Sequence, residues 1–277
     1  MKISVASGKG GTGKTLVATC LSAFAGDALL VDCDVEEPNA HLFFPQARTI
    51  EEDVCQVSVP QIEESRCNRC GECSRFCAYN ALAVFPGDVL VFPELCHGCG
   101  GCALVCPQKA ISEAKRPVGA VRRARAGEVE LLWGELFPGE PMASPLIKEV
   151  KRRAEGRLVL IDCPPGTSCQ AIAAVDGSDF CLLVAEPTPF GLYDLDLAVM
   201  VLDQMSIDCG VVVNKWGIGD DALTRYCRES DIPILMEIPW SQKIAGLYSR
   251  GLIFAGEMPE WQDRFRSLLS TIQEMVD

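Results

Sequence analysis

Two groups of residues in this 277-residue chain have types and spacing suited to chemistry. The first is a glycine-rich loop, Gly8-Lys9-Gly10-Gly11-Thr12-Gly13-Lys14-Thr15, between an apolar run at 3–6 and a helical segment at 14–25. Glycines let backbone N–H groups turn inward around an anion, and the helix N-terminus adds partial positive charge. There Lys14 reaches β- and γ-phosphate oxygens and Thr15 offers a hydroxyl to Mg²⁺. A glycine turn without a ligand would leave Lys14 uncompensated at a helix start, where cations are disfavoured. The second group is the cysteines: eight of the sixteen crowd into residues 67–106. The others (Cys20, Cys33, Cys55, Cys163, Cys169, Cys181, Cys209 and Cys227) are scattered singly, and such cysteines are usually small core residues.

Elements that must position these residues are legible in the apolar pattern. Short β-branched or leucine-rich runs at 3–6, 28–32, 158–162, 180–185, 210–214 and 234–238 read as buried strands of one parallel sheet. Helical segments at 14–25, 145–154, 190–205, 220–230 and 241–249 alternate with them, which is the pattern of a doubly wound, mostly parallel α/β fold. Gly26 is placed to close the first helix. Helical periodicity lapses from about 60 to 115, so the chain divides into an α/β domain (1–59 and 112–277) and an inserted small domain (60–111). Within the insert, the cysteine pattern beginning at Cys67 repeats 29 residues later at Cys96, with Ala81-Leu82 matching Ala110-Ile111. Two copies predict a pseudo-twofold module.

Composition bounds the function classes. A formal charge of −13 argues against nucleic acid or anionic membranes as the main partner. The basic cluster Lys115, Arg116, Arg122, Arg123 and Arg125 reads first as a solvated face and second as a docking patch. No apolar run approaches the ~20 residues of a membrane span, and no signal peptide precedes the loop, so a cytoplasmic protein is expected. Trp261, Phe265, Leu268, Leu269, Ile272 and Met275 fall on one helical face, which predicts a core-packing helix at the C-terminus.

The loop's second lysine carries a family resemblance. Lys9-Gly10-Gly11-Thr12-Gly13-Lys14-Thr15 resembles the deviant Walker A motif of the MinD, ParA, Mrp and nitrogenase-iron-protein group of P-loop ATPases. Val31-Asp32-Cys33-Asp34 resembles that group's switch I, and residues 160–167, containing Asp162-Cys163-Pro164-Pro165-Gly166-Thr167, its Walker B and switch II. The resemblance covers nearly the whole chain outside the insert and implies a nucleotide-sandwich homodimer in which Lys9 reaches the partner's phosphates. It also implies that Asp34 orients or deprotonates the attacking water, that Asp162 holds Mg²⁺ through water, and that Asp32 supports the metal shell. Strand-end capping is the plain alternative for Asp32 and Asp34. Asn214-Lys215 ends a strand where the fold reads the base; Gly217 stands where guanine readers carry an aspartate, so adenine is favoured, with 237–239 passing nearby.

Each cysteine quartet has C-x₂-C-x₂-C-x₃-C spacing, and Pro107 completes the second, as in bacterial dicluster ferredoxins. Ala78 replaces proline after the first. That pattern implies two [4Fe–4S] clusters with crossed ligands: Cys67, Cys70, Cys73 and Cys106 for one, and Cys77, Cys96, Cys99 and Cys102 for the other. Structural zinc is the competing reading, against which the compact triple spacing counts. His97, between ligands, reads as a hydrogen-bond donor rather than a ligand. Together these features resemble MinD-type ATPases with an inserted ferredoxin domain. The implied function is an ATP-hydrolysing dimeric switch coupling nucleotide state to electron transfer, or to metallocofactor assembly, with a partner protein. The alternatives are a MinD/ParA-like positioning ATPase with structural or redox-sensing clusters, and an ATP-dependent amide synthase of the cobyrinate type. Cluster scaffolding through Cys163 and Cys169 is less favoured than a core or loop role for them.

Overall fold

The computed structural model describes residues 1–156 and 158–276. Its elements in chain order are β1 (Lys2–Ala6), α1 (Lys14–Phe24), β2 (Ala28–Asp32), β3 (Arg48–Ile62), α2 (Glu72–Phe76), β4 (Leu82–Phe85), β5 (Asp88–Val91), α3 (Gly101–Leu104), β6 (Ile111–Ala126) and β7 (Val129–Leu136). There follow α4 (Ser144–Arg152), β8 (Val159–Asp162), α5 (Cys169–Val175), β9 (Phe180–Ala185), α6 (Pro189–Met205), β10 (Cys209–Trp216), α7 (Ala222–Glu229), β11 (Ile234–Pro239), α8 (Gln242–Tyr248), α9 (Phe254–Glu257) and α10 (Gln262–Val276).

A nine-stranded sheet in the order β11-β10-β9-β1-β8-β2-β7-β6-β3 organises the chain. The six strands expected from the apolar runs pair in parallel, and β7 adds a seventh parallel member against β2. Two fully buried layers explain why: Val5, Leu30, Leu160 and Leu182 face one side of the sheet, and Val31, Ile161, Leu183 and Val211 the other. Helices α1 and α10 cover the first layer and α4 and α6 the second. Gly26 closes α1 at φ 76°. The terminal helix packs into the core through Phe265, Leu268, Leu269 and Ile272, with Met275 left largely exposed. Among the described residues no helix is long and apolar enough to cross a membrane.

The sheet is mostly parallel, as expected, and its antiparallel members lie together at one edge. Strand β6 runs antiparallel to β7, and β3 antiparallel to β6. Their charge hid them from a search for apolar runs, and the structure also gives that charge a use. Arg122 lies opposite Glu52 and bridges it and Glu135; Arg123 lies opposite Glu51 and pairs with it and Glu130. Arg116 pairs with Glu140, and Arg153 of the loop after α4 holds Glu51 and Asp53. Cross-strand opposite charges contribute roughly 0.2–1 kcal/mol each, so the arginines of the basic cluster belong to a charge ladder, while Lys115 donates to the Ser58 hydroxyl.

Before Gly119, β6 pairs with β3 alone, and the two form a ribbon leading away from the sheet. At its end sit α2, the β4–β5 hairpin and α3. The 29-residue repeat has a structural counterpart there. Gly71 and Gly100, both at positive φ, precede α2 and α3, and Ala81 and Ala110 are both buried.

Candidate functional site

The loop after β1 wraps residues 7–13 and delivers Lys14, which is buried, at the first position of α1. Gly13 has φ 101°, and a Cβ there would lie 2.3 Å from the Asn214 Nδ2 atom. Glycine is therefore required twice over, by backbone conformation and by the close approach of β10.

Adjacent strands β2 and β8 are in register, which sets Asp32 opposite Asp162 beneath the loop. The Thr15 hydroxyl donates to Asp162 Oδ2 at 2.7 Å, while Asp162 Oδ1 is buried without a hydrogen-bond partner among the described residues. Asp32 accepts backbone N–H groups from Asp34, Asn39 and Ala40 at 2.9–3.0 Å. Burial pushes Asp32 up to about 6, and burial followed by the charge of Asp32 raises Asp162. Two buried carboxyls and a hydroxyl, with one oxygen unpartnered, form a donor set for a hard cation such as Mg²⁺. Asp34 is half-buried just beyond; desolvation raises its carboxyl, and the Lys14 ammonium opposes the rise.

On the other side of the loop a cavity of about 200 Å³ is lined by Gly13, Asn214, Lys215, Pro239, Trp240 and Tyr248, among others. Pro239 lines it, whereas Glu237 does not. Asn214 spends its amide on the loop, donating to the Thr12 carbonyl at 2.7 Å, and its Oδ1 accepts the Lys215 N–H. Lys215 donates from Nζ to the Gly11 carbonyl at 3.0 Å. Both residues thus brace the loop as well as line the cavity. Trp240 and Tyr248, absent from the sequence-derived set, are its aromatic walls; an indole directly after a strand-ending proline was the available signal.

Glu186 was also missed. Its carboxylate forms an ion pair with Lys9 and another with Lys215, the latter at 2.8 Å. Burial would raise the carboxyl, but the two lysines outweigh it and hold it below the usual glutamate range. Lys9, expected to reach a second protomer, is here paired within its own chain.

The ribbon tip gathers the cysteines into two sets. One cavity, of about 180 Å³, is lined by Cys77, Cys96, Cys99 and Cys102; a narrower one is lined by Cys67, Cys70, Cys73 and Cys106. Burial raises the Cys73 thiol, with Cys67 and Cys106 close enough to add to the effect; Cys102 is raised likewise beside Cys96 and Cys99. Equivalent backbone donors reach sulfur in each half: Ala81 N–H to Cys77 Sγ and Ala110 N–H to Cys106 Sγ, both at 3.3 Å. Among the described residues no group of three or more His, Cys, Asp or Glu side chains is arranged to hold a single metal ion. The thiols are spread around cavity walls instead. His97 stacks on Tyr79 with ring centroids 3.6 Å apart. Of the scattered cysteines, Cys163 is buried in the core and Cys169 is exposed at the start of α5.

Comparison with known proteins gives three findings. The family model described as the CobQ/CobB/MinD/ParA nucleotide binding domain matches residues 3–254. Two uncharacterized proteins of Methanocaldococcus jannaschii are similar along most of their length. MJ0578 is 29% identical over 100% of this chain and 98% of its own, and MJ0579 is 30% identical over 92% and 91%. The septum site-determining protein MinD of Pyrococcus horikoshii, solved with Mg-ADP, superposes with a TM-score of 0.59 over 99% of this chain and 96% of its own. At 20% identity that likeness is one of fold.

Proposed function

We propose, for a chain that belongs to the CobQ/CobB/MinD/ParA nucleotide-binding family and is a P-loop ATPase, a nucleotide-controlled switch that dimerises around ATP and carries two iron–sulfur clusters on its ribbon. The observation that carries the switch is the orphaned Asp162 Oδ1, buried beside the hydroxyl that a P-loop gives to Mg²⁺. Thr15 and Asp162 would hold the ion, with Asp32 fixed behind them by its three N–H donors. Bound Mg²⁺ neutralises charge on the β- and γ-phosphates. Lys14 and the backbone N–H groups of 10–15 cradle the phosphates, and the cavity between Asn214, Lys215 and Trp240 takes adenine. Asp34 accepts a proton from the attacking water, and Lys9 of the opposite protomer stabilises the charge on the transferred group.

The cluster assignment rests on cavity chemistry. Each cavity carries one crossed set of four thiols, glycines at positive φ adjoin both, and N–H donors point at sulfur. Thiolates distributed around a wall suit a multi-atom cluster better than a single ion. Bound clusters supply one-electron redox chemistry. With a domain boundary near 60 and 111, the clusters would sit on a module outside the α/β layers.

For the output of the switch, a MinD/ParA-like role in positioning a partner, with the clusters structural or redox-sensing, has the support of the fold relatives. Electron transfer or metallocofactor assembly with a partner protein is the second reading. One contact favours it: the Leu136 N–H at the end of β7 donates to the carbonyl of Val35, directly after switch I, so the strand paired with the root of the ribbon touches the end of a segment expected to move with the γ-phosphate. Sedimentation velocity tests the shared part. The expected result is a monomer with Mg·ADP and a dimer with a slowly hydrolysed ATP analogue; a monomer with both would sink the switch.

A further inference from the structure

We infer that Glu186 is a positioning residue, a latch within the protomer that holds Lys9 away from the dimer face until nucleotide from a second copy competes for it. The inference rests on the sandwich-dimer reading above and deepens it.

The latch is built rather than incidental. Glu186 directly follows β9, beside the glycine-rich loop, and its backbone is gripped by close packing. A Cβ on Gly191 would lie 2.1 Å from the Glu186 carbonyl oxygen, and one on Gly219 would lie 1.8 Å from that of Pro187. Thr188 donates its N–H to the Glu186 carbonyl at 2.8 Å, and its hydroxyl accepts the Gly191 N–H, capping α6. The carboxylate is therefore presented from a fixed support.

Its two lysines are not equivalent. Lys215 sits at φ 57°, a conformation costly for a lysine, and is tied by its N–H to Asn214 and by Nζ to Gly11. Among the described residues, Lys9 is held only by its own backbone, whose carbonyl accepts the Ser7 hydroxyl, and by Glu186. Loss of Lys9 leaves Glu186 still paired with Lys215, so release does not strand a buried carboxylate, which is the event that makes breaking such pairs expensive. What must be overcome is one partly exposed ion pair, roughly 1 kcal/mol and hence about a fivefold bias toward the latched arrangement. A triphosphate offers Lys9 more negative charge than a single carboxylate does, whereas a diphosphate lacks the γ-oxygens nearest the partner. The latch thus raises the threshold for dimerisation and makes it depend on the nucleotide.

The test uses the full-length protein at saturating ATP analogue, with dimer formation followed by light scattering and its rates by stopped flow. Glu186→Gln is expected to lower the midpoint concentration for dimerisation about 25-fold, fivefold for each of the two protomers, through faster association at unchanged dissociation. Glu186→Asp, which keeps the charge but withdraws it by one methylene, is expected to fall between the two. Circular dichroism melting establishes that each variant is folded, and the Asp variant carries the test if the Gln variant is not. A wild type that stays monomeric with the analogue overturns the dimer reading itself. A wild type that dimerises, with variants at the same or a higher midpoint or with slower dissociation as the only change, overturns the latch alone.

Discussion

Replacing Asp34 with alanine is expected to lower ATP turnover by about 10²–10⁴-fold, the range over which a positioned general base acts, while leaving nucleotide affinity within about threefold. The separation follows from placement. Asp34 lies past the end of β2, half-buried, outside the glycine-rich loop and outside the Asp32–Asp162 pair. Removing it would delete the proposed proton acceptor and leave Lys14, Thr15, Asp32 and Asp162 in place. Lys14→Ala should behave differently. Lys14 is buried at the start of α1 beneath the glycine-rich loop, and its loss should weaken binding and hydrolysis together. Calorimetric titration with Mg·ATP beside a turnover assay separates the two. Equal losses of affinity and rate in Asp34→Ala would make Asp34 a binding residue or a strand-end cap, the plain alternative that its position after a strand allows.

The second large effect concerns the cysteines, where pairs of substitutions distinguish crossed from sequential ligation. With crossed sets, Cys67→Ala/Cys106→Ala damages one site twice, so an anaerobically purified protein retains about four irons of about eight. Cys96→Ala/Cys106→Ala damages one ligand of each site and should lose both clusters. If each sequence quartet held its own cluster, the outcomes would exchange: the first pair would lose both and the second would keep one. The cavity linings, with Cys106 beside Cys67 and Cys77 beside Cys96, favour the crossed result. Iron and acid-labile sulfide analysis reads the answer directly, and full iron retention in both pairs would remove the clusters from these thiols.

How much of this was legible from residues alone differs between elements for identifiable reasons. The parallel strands announced themselves because both faces of each are buried, as in Ala28–Asp32, every residue of which is buried. Strands β3 and β6 did not, since charged residues line their exposed faces and break up the apolar run. The short helix α5, of seven residues beginning at an exposed cysteine, offers too little periodicity to be recognised. At the site, the loop lysines, Thr15 and the aspartates stand in motifs whose spacing implies their chemistry. Glu186 stands in none. Its role depends on β9 ending level with the glycine-rich loop, a consequence of β9 pairing with β1 that is invisible until the strand order is known. The one hint in the sequence is an acidic residue ending an otherwise apolar run, followed by proline. Asn214 and Lys215 were found by position, but their bonds to the loop carbonyls of Thr12 and Gly11 could not be read from spacing.

The most direct test of an ATPase whose sites are completed across a dimer is complementation between two inactive variants. Lys9→Ala lacks the lysine it would lend but keeps Asp34; Asp34→Ala lacks its own base but keeps Lys9 to lend. Each alone should be nearly inactive. Mixed in equal amounts and allowed to exchange, they place one complete site in each heterodimer, and random pairing predicts recovery to roughly a quarter of wild-type turnover. No recovery in a mixture that demonstrably forms heterodimers, or full activity of Lys9→Ala on its own, would contradict the account.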